Sequence, residues 1–151
     1  MIFTIGYEGT SLNGLLSALK HNDVDHVIDV RLTPLSRKRG FSKTALALAV
    51  RKGGMRYSHR PELGCPKDIR TRLQATGDFA EYADSYANHV LSRRRVEVGR
   101  LAREGRSRHI CLLCFEADAA RCHRSLIAAR AGMVSQGATG FVHLAAGRTS
   151  R

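Results

Sequence analysis

The residues best suited to chemistry are concentrated between positions 114 and 125, where the sequence reads CFEADAARCHRS. This segment holds two thiols, two carboxylates, an imidazole and two guanidinium groups. Such side chains serve as nucleophiles, acids and bases, metal ligands and anion-binding groups. An apolar run, ICLLC, ends at Cys114, so a strand should deliver the segment to one end of a sheet. Three kinds of site are compatible with it.

The first kind is a phosphate-binding loop with a cysteine nucleophile, as in tyrosine phosphatases and sulfurtransferases. Cys114 stands seven positions before Arg121, which is one more than in the phosphatases. The intervening loop has no glycine and contains Glu116 and Asp118, whose negative charges would oppose a phosphate dianion. A Cys-dependent phosphatase- or sulfurtransferase-like enzyme is therefore kept as an alternative.

The second kind is a zinc site, and the third is the polar wall of a pocket. Zinc would need Cys114, Cys122 and His123 as ligands, with Cys65 as a candidate for the fourth. Two neighbouring residues on one helix do not easily face one ion, so we expect no bound metal. The favoured interpretation packs Cys114 and Cys122 as small apolar groups. It turns Glu116, His123 and Arg124 toward a ligand.

Other polar residues follow predicted strands. The turn GYEG at positions 6–9 is either a tight turn into a helix or a ligand-binding turn, because glycines allow close backbone approach. It lacks the full dinucleotide-binding fingerprint, but Glu8 could act as an acid, a base or a ribose ligand. Arg31, close to Asp29, is either a structural ion pair or an anion-binding group. His59 precedes a loop that contains Glu62 and is a further acid–base candidate.

The charge of the chain is strongly positive. There are 25 Lys and Arg residues against 13 Asp and Glu, a formal net charge of +12. Nine basic residues and no acid lie between Asp29 and Glu62. Within this stretch RKRGFSK, at positions 37–43, is either an ordinary basic loop or a segment that contacts phosphates through Arg37 and Lys43. Such a charge favours nucleic acid or phosphorylated ligands as partners.

The composition places the chain among globular proteins. Its 151 residues are 43% hydrophobic, which suits one domain. No apolar run approaches the roughly 20 residues that span a bilayer, and the N-terminus has no basic leader, so we expect a cytoplasmic protein without a membrane partner. Its four cysteines should be reduced there.

Periodicity predicts strands at 1–5, 26–30, 55–58, 110–114 and 141–144, with a loop at 61–70. Ser11, Ser42, Asp78 and Asp118 are predicted to cap helices. This alternation indicates an α/β fold: a single Rossmann-like domain at residues 1–146, with a mainly parallel sheet of about five strands flanked by helices. A polar tail follows at 147–151. Ligands of such sheets bind beyond the carboxyl ends of the strands.

These motifs together resemble the domain of unknown function 488 family. The matching segments are TIGYEG at 4–9, DVR at 29–31 with Pro34, Ser36 and Arg37, GFSK at 40–43, Tyr57 with His59, ELG at 62–64, LLCFE at 112–116 and CHRS at 122–125. The family commonly has proline after the Asp that matches Asp118, where this chain has Ala119. The resemblance implies a compact α/β fold and carries no established reaction.

The sequence thus predicts a protein with an anion-accepting pocket at the carboxyl edge of its sheet, which binds or acts on a nucleotide or nucleic acid. A non-catalytic nucleic-acid or partner-binding module is an alternative, so catalysis itself is left open. No cofactor is expected. The predicted site comprises acid–base candidates (Glu8, His59, Glu116), phosphate-binding residues (Arg31, Arg37, Lys43, Arg124) and pocket residues (Tyr7, Cys114, Cys122, His123).

Overall fold

The computed structural model describes residues 1–147, and in this part of the chain a five-stranded parallel sheet is flanked by six α-helices. The strands are β1 (Ile2–Gly6), β2 (His26–Asp29), β3 (Arg56–His59), β4 (Ile110–Cys114) and β5 (Phe141–Leu144). The helices are α1 (Leu12–His21), α2 (Lys43–Lys52), α3 (Lys67–Thr76), α4 (Phe79–His89), α5 (Arg95–Ser107) and α6 (His123–Val134). Single 3₁₀ turns span Pro61–Leu63, Leu91–Arg93 and Ala119–Arg121. The predicted α/β fold is confirmed.

The sheet has the strand order β3-β2-β4-β1-β5, and all its pairings are parallel. Strand β4 is buried along its whole length, because helices cover both faces and its sequence is apolar on both. The register places Cys114 beside Gly6 of β1 and Leu113 beside Asp29 of β2. The three polar sequence segments predicted to form a site therefore leave the sheet at one edge.

The two faces of the sheet carry separate apolar cores. Helices α1 and α2 cover one face, where Leu15 and Leu46 are fully buried. Helices α4, α5 and α6 cover the other face, where Tyr86, Leu101 and Ile127 are fully buried. Each core is formed by one apolar stripe per helix, as amphipathic helices require.

Two of the predicted helix caps accept a hydrogen bond from a backbone N–H group in the first turn of their helix. Ser11 accepts a hydrogen bond from the Gly14 N–H at 3.0 Å, and Asp78 accepts one from the Glu81 N–H at 3.1 Å. Asp118 also caps, but it closes only the 3₁₀ turn that follows it, and α6 begins five residues later at His123. The prediction of one continuous helix from Asp118 is wrong in that respect.

The predicted loop at residues 61–70 is also wrong. A 3₁₀ turn covers Pro61–Leu63, and α3 begins at Lys67. Helix α3 contains a single buried residue, Ile69, so its sequence shows no apolar stripe to mark it as a helix. It ends where Gly77 adopts a left-handed conformation (φ 68°), as is common at helix C-termini.

Two predictions concern membranes and the end of the chain. None of the helices within residues 1–147 is both long and apolar enough to cross a bilayer. The polar tail predicted at 147–151 lies outside the described residues, apart from Gly147. The carbonyl oxygen of Gly147 accepts a hydrogen bond from Thr10 Oγ1 at 2.8 Å, which ties it to the turn before α1.

Candidate functional site

A cleft of about 600 Å³ opens at the carboxyl edge of the sheet. Segments that follow β1, β2 and β4 form one wall, and α3 and α4 contribute to the other. This is the position at which parallel α/β sheets bind their ligands. Its polar and aromatic lining consists of Tyr7, Glu8, Arg31, Thr33, Ser36, Arg37, Cys65, Arg70, Gln74, Tyr82, Cys114, Phe115, Glu116, Asp118, Arg121 and His123.

Most of the residues predicted for the site meet here. The lining includes Tyr7, Glu8, Arg31, Arg37, Cys114, Glu116 and His123. Cys122 lies directly behind the wall, with its thiol 3.2 Å from Glu116 Oε2. Lys43, His59 and Arg124 do not line the cleft. Lys43 is exposed at the start of α2, and the His59 ring donates from Nε2 to the Arg31 carbonyl oxygen at 2.7 Å.

Arg31 forms a buried ion pair with Asp29. Its Nε and Nη2 atoms donate to Asp29 Oδ1 and Oδ2 at 2.8 and 2.6 Å, and Nη1 donates to Tyr7 Oη and to the Phe41 carbonyl at 3.1 and 2.7 Å. Tyr57 donates to the same carboxylate at 2.6 Å. Burial alone would lower the pKa of Arg31, but the hydrogen bonds and charge of Asp29 raise it. Of the two interpretations left open, the structural ion pair is the one that these contacts support.

Two thiols, a carboxyl and an imidazole form a cluster in the wall of the cleft, in which Cys114, Glu116 and His123 reach the lining and Cys122 lies behind them. Cys114 Sγ and Cys122 Sγ donate to Glu116 Oε2 at 3.0 and 3.2 Å. His123 Nδ1 lies 3.9 Å from the Cys114 sulfur and 3.7 Å from the Cys122 sulfur. On the other side of the ring, His123 Nε2 donates to the Val30 carbonyl oxygen at 2.9 Å. Loop, strand and helix are thus joined through one group of side chains.

The surroundings shift the pKa values within this cluster in opposite directions. A hydrogen bond with Cys122, followed by burial, raises the pKa of Cys114. Burial would also raise the pKa of Cys122, but hydrogen bonds with Cys114 and His123 and the charges of His123 and Arg124 lower it. Burial raises the pKa of Glu116. For His123, burial would lower the pKa, and the hydrogen bond and charge of Cys122 raise it overall.

Arg124 was predicted to bind phosphate, but in the structure it holds the framework of the site together. Its side chain has no exposed surface. It donates to Thr4 Oγ1 at 3.2 Å and to the carbonyl oxygens of Glu116 and Ala117 at 2.6 and 3.1 Å. Glu8 supports the same loop from outside, because its Oε2 accepts from the Ala117 N–H at 2.9 Å. Both residues therefore fix the loop after β4.

Two basic residues and one aromatic residue of the cleft were missed. Arg70 and Tyr82 belong to α3 and α4, and nothing in the segment predicted as a loop marked Arg70 as a site residue. Arg121 lies within the CFEADAARCHRS segment but was used only for its spacing. Arg37, Arg70 and Arg121 are exposed, and none of them forms an ion pair with any carboxylate of residues 1–147.

The arrangement disfavours a Cys114 nucleophile. A thiolate is the reactive form of cysteine, and the pKa of Cys114 is raised because of its hydrogen bond with Cys122 and its burial. Cys122 is 1% exposed and lies behind the wall, where a substrate does not reach it. The cleft instead presents exposed guanidinium groups, an exposed aromatic ring at Phe115 and three carboxylates.

Comparisons with known proteins agree with the resemblance seen in the motifs. A family model described as Domain of unknown function DUF488 matches residues 11–131. The match runs from the start of α1 into α6 and includes the loop after β4 and the CHRS segment. Searches of the curated proteins and of the solved structures returned no match. The chain belongs to the family described as Domain of unknown function DUF488.

Proposed function

We propose that the cleft binds the phosphate groups of a nucleotide, either free or within a single nucleic-acid strand. The observation that carries this proposal is the convergence of Arg37, Arg70 and Arg121 on one cleft from three separate segments. Each is exposed and has no carboxylate partner within the described residues. Guanidinium groups that are free of ion pairs can donate paired hydrogen bonds to phosphate oxygens.

The aromatic side chains of the cleft fit the base of such a ligand. Phe115 is 47% exposed, and its ring packs edge-on against Tyr7 with the centroids 5.4 Å apart. Tyr7 in turn stacks on Phe41 at 4.5 Å. A ring held in this way is a stacking surface that loses little freedom when a base covers it.

Of the three carboxylates at the cleft, Glu8 and Asp118 fit a sugar better than a phosphate. Glu8 Oε2 accepts from the Ala117 N–H, and Asp118 Oδ1 accepts from the Ala120 N–H, both at 2.9 Å. Carboxylates commonly accept hydrogen bonds from ribose hydroxyls in nucleotide sites of α/β proteins. The volume of about 600 Å³ lies within the roughly 300–1,000 Å³ of small-ligand pockets.

We also propose a cytoplasmic location, since all four cysteines are free thiols.

The proposal is tested by equilibrium titration with AMP, ADP, ATP and the unphosphorylated nucleoside adenosine. The test variant is Arg70→Ala combined with Arg121→Ala. The control is Arg51→Ala combined with Arg106→Ala, because these arginines lie in the last turns of α2 and α5, at the opposite edge of the sheet. It removes the same charge without touching the cleft.

We expect phosphorylated ligands to bind the control as they bind the unmodified protein. The cleft variant should bind at least about 100-fold more weakly, since it loses two arginines and each charge-assisted hydrogen bond contributes about 1.5–3 kcal/mol. Adenosine should bind both variants equally. Equal binding of all nucleotides to both variants, or no binding to the unmodified protein at low salt, would contradict the proposal. In that case the non-catalytic partner-binding alternative is favoured.

A further inference from the structure

We propose that Cys114, Cys122 and His123 bind a Zn²⁺ ion at the floor of the cleft. Their three donor atoms, two sulfurs and Nδ1, all lie within 4.8 Å of one another, and all three residues are buried. Thiolate sulfur and imidazole nitrogen are the ligands that Zn²⁺ prefers in proteins. This site uses none of the residues assigned to phosphate binding.

The two distances from the His123 nitrogen to the cysteine sulfurs are close to those found when a metal joins such donors. A tetrahedral zinc with bonds of about 2.3 Å to sulfur and 2.0 Å to nitrogen separates these two donors by about 3.5 Å. The nitrogen of His123 lies 3.9 and 3.7 Å from the sulfurs of Cys114 and Cys122. Side-chain shifts of a few tenths of an ångström are enough to close both gaps.

The histidine is held in the tautomer that a metal requires. A carbonyl oxygen only accepts hydrogen bonds, so Nε2 of His123, at 2.9 Å from the Val30 oxygen, must carry the proton in the neutral ring. The lone pair of Nδ1 then faces the two sulfurs. Metal-bound histidines almost always have such a hydrogen bond from the second nitrogen, which orients the ring.

The backbone conformation at Cys122 allows two neighbouring residues to face one ion, which was not expected from the sequence. Cys122 and His123 are adjacent, and on a helix their side chains would diverge. Cys122, however, precedes α6 in an extended conformation (φ −137°, ψ 143°), which lets its sulfur approach the ring of the next residue. Cys111 and Cys114 also have C-x-x-C spacing, but strand β4 sends them into opposite cores. Cys111 is therefore not a ligand and serves as a control.

Three protein ligands leave a fourth position, which is the pattern of catalytic rather than structural zinc sites. Cys114 and His123 line the cleft, so an ion held by them would border it. Glu116 Oε2 lies 3.0 and 3.2 Å from the two sulfurs. Binding of the dication displaces both thiol protons, which leave to solvent.

The site is tested on the full-length protein with Zn²⁺ and Co²⁺ as probes. Protein purified under reducing conditions is stripped with a chelator, reloaded and dialysed, and its zinc content is measured by mass spectrometry. Cys122→Ser is the test variant and Cys111→Ala the matched control, with circular dichroism to compare their folding. X-ray absorption of the zinc-loaded unmodified protein gives the ligand set without any substitution.

We expect about one equivalent of zinc in the unmodified protein and in Cys111→Ala, and a loss of at least about 10-fold in affinity in Cys122→Ser. The Co²⁺ form should show sulfur-to-metal charge-transfer absorption. X-ray absorption should give two sulfurs at about 2.3 Å and two lighter atoms at about 2.0 Å. Substoichiometric zinc after reloading overturns the proposal, as does a shell of light atoms only, or equal loss of zinc in both variants.

Discussion

At the scale of single residues, the site depends on side chains that hold one another in place. Arg31 and Asp29 are 6% and 0% exposed in their side chains and form a bidentate ion pair. A buried ion pair contributes little net stability, but removing one partner leaves an uncompensated charge in the interior. The pair also joins the end of β2 to Tyr7 and to the Phe41 carbonyl, so it orients one wall of the cleft.

We predict that Arg31→Leu lowers the free energy of unfolding by about 3–5 kcal/mol, because the Asp29 carboxylate is left buried and unpaired. Urea denaturation measures the change. Arg56→Leu is the control: Arg56 is 62% exposed and 3.9 Å from Glu104, so its loss should change stability by less than about 1 kcal/mol. Adding Asp29→Asn to Arg31→Leu should restore part of the stability. Equal effects at positions 31 and 56 would refute this role of the pair.

At the scale of elements, one glycine determines how closely the loop after β4 crosses the end of β1. A Cβ atom at Gly6 would lie 1.7 Å from the Glu116 carbonyl oxygen, which is backbone and has little room to move. The Tyr7 and Glu8 N–H groups donate to the carbonyl oxygens of Cys114 and Phe115 at 3.2 and 2.8 Å. The two segments therefore form one rigid unit that presents Phe115 and Glu116.

We predict that Gly6→Ala displaces this loop, weakens nucleotide binding at the cleft and lowers the melting temperature. Gly99→Ala is the matched control. Gly99 lies within α5, where a Cβ would meet only the end of the Arg103 side chain at 3.6 Å. Alanine there should stabilise the helix by about 0.5–1 kcal/mol. Calorimetric melting of both variants distinguishes the two effects, and a Gly6→Ala protein as stable as the unmodified one would contradict this account.

Some of the strands and helices could be predicted from the sequence, and others could not. Strand β4 was predictable because its sequence is apolar on both faces. Helices α1 and α4 were predictable because Ser11 and Asp78 cap their first turns. Helix α3 was not, since it buries only Ile69. The arginine it contributes, Arg70, was missed for the same reason. The roles of Arg31 and Arg124 depend on which carbonyl and carboxylate oxygens surround them, and long-range packing, which spacing does not encode, decides that.

At the scale of the whole molecule, the net charge of +12 attracts polyanions to the surface whatever the cleft binds. The basic segment 37–43 borders the cleft through Arg37. Lys38 is already engaged, because its Nζ donates to the Thr10 carbonyl oxygen and lies over the Phe41 ring. Arg37, Arg39 and Lys43 are thus the exposed cations of this segment that can contact a strand on its way into the cleft, and Arg37 and Arg39 lie beside its border.

We predict that a single-stranded oligonucleotide binds with an affinity that falls steeply with salt. Arg37→Ala combined with Arg39→Ala should make the slope of log K against log salt concentration shallower by about 1.4, since each phosphate of a single strand that is no longer neutralised changes the slope by about 0.7. Fluorescence anisotropy at several salt concentrations measures the slope. The control with Arg51 and Arg106 replaced should keep the original slope. An unchanged slope in the test variant would show that the segment is only a solvated surface.

Binding of phosphorylated nucleosides by the proposed cleft is tested most directly by mapping amide chemical shifts in the isotope-labelled protein during titration with ADP. We expect saturable shifts in the segments 31–37, 65–77 and 114–121, which border the cleft, while the amides of α5 stay unchanged. Shifts centred on the arginines of α5, or no shifts at saturating ADP in low salt, would contradict it.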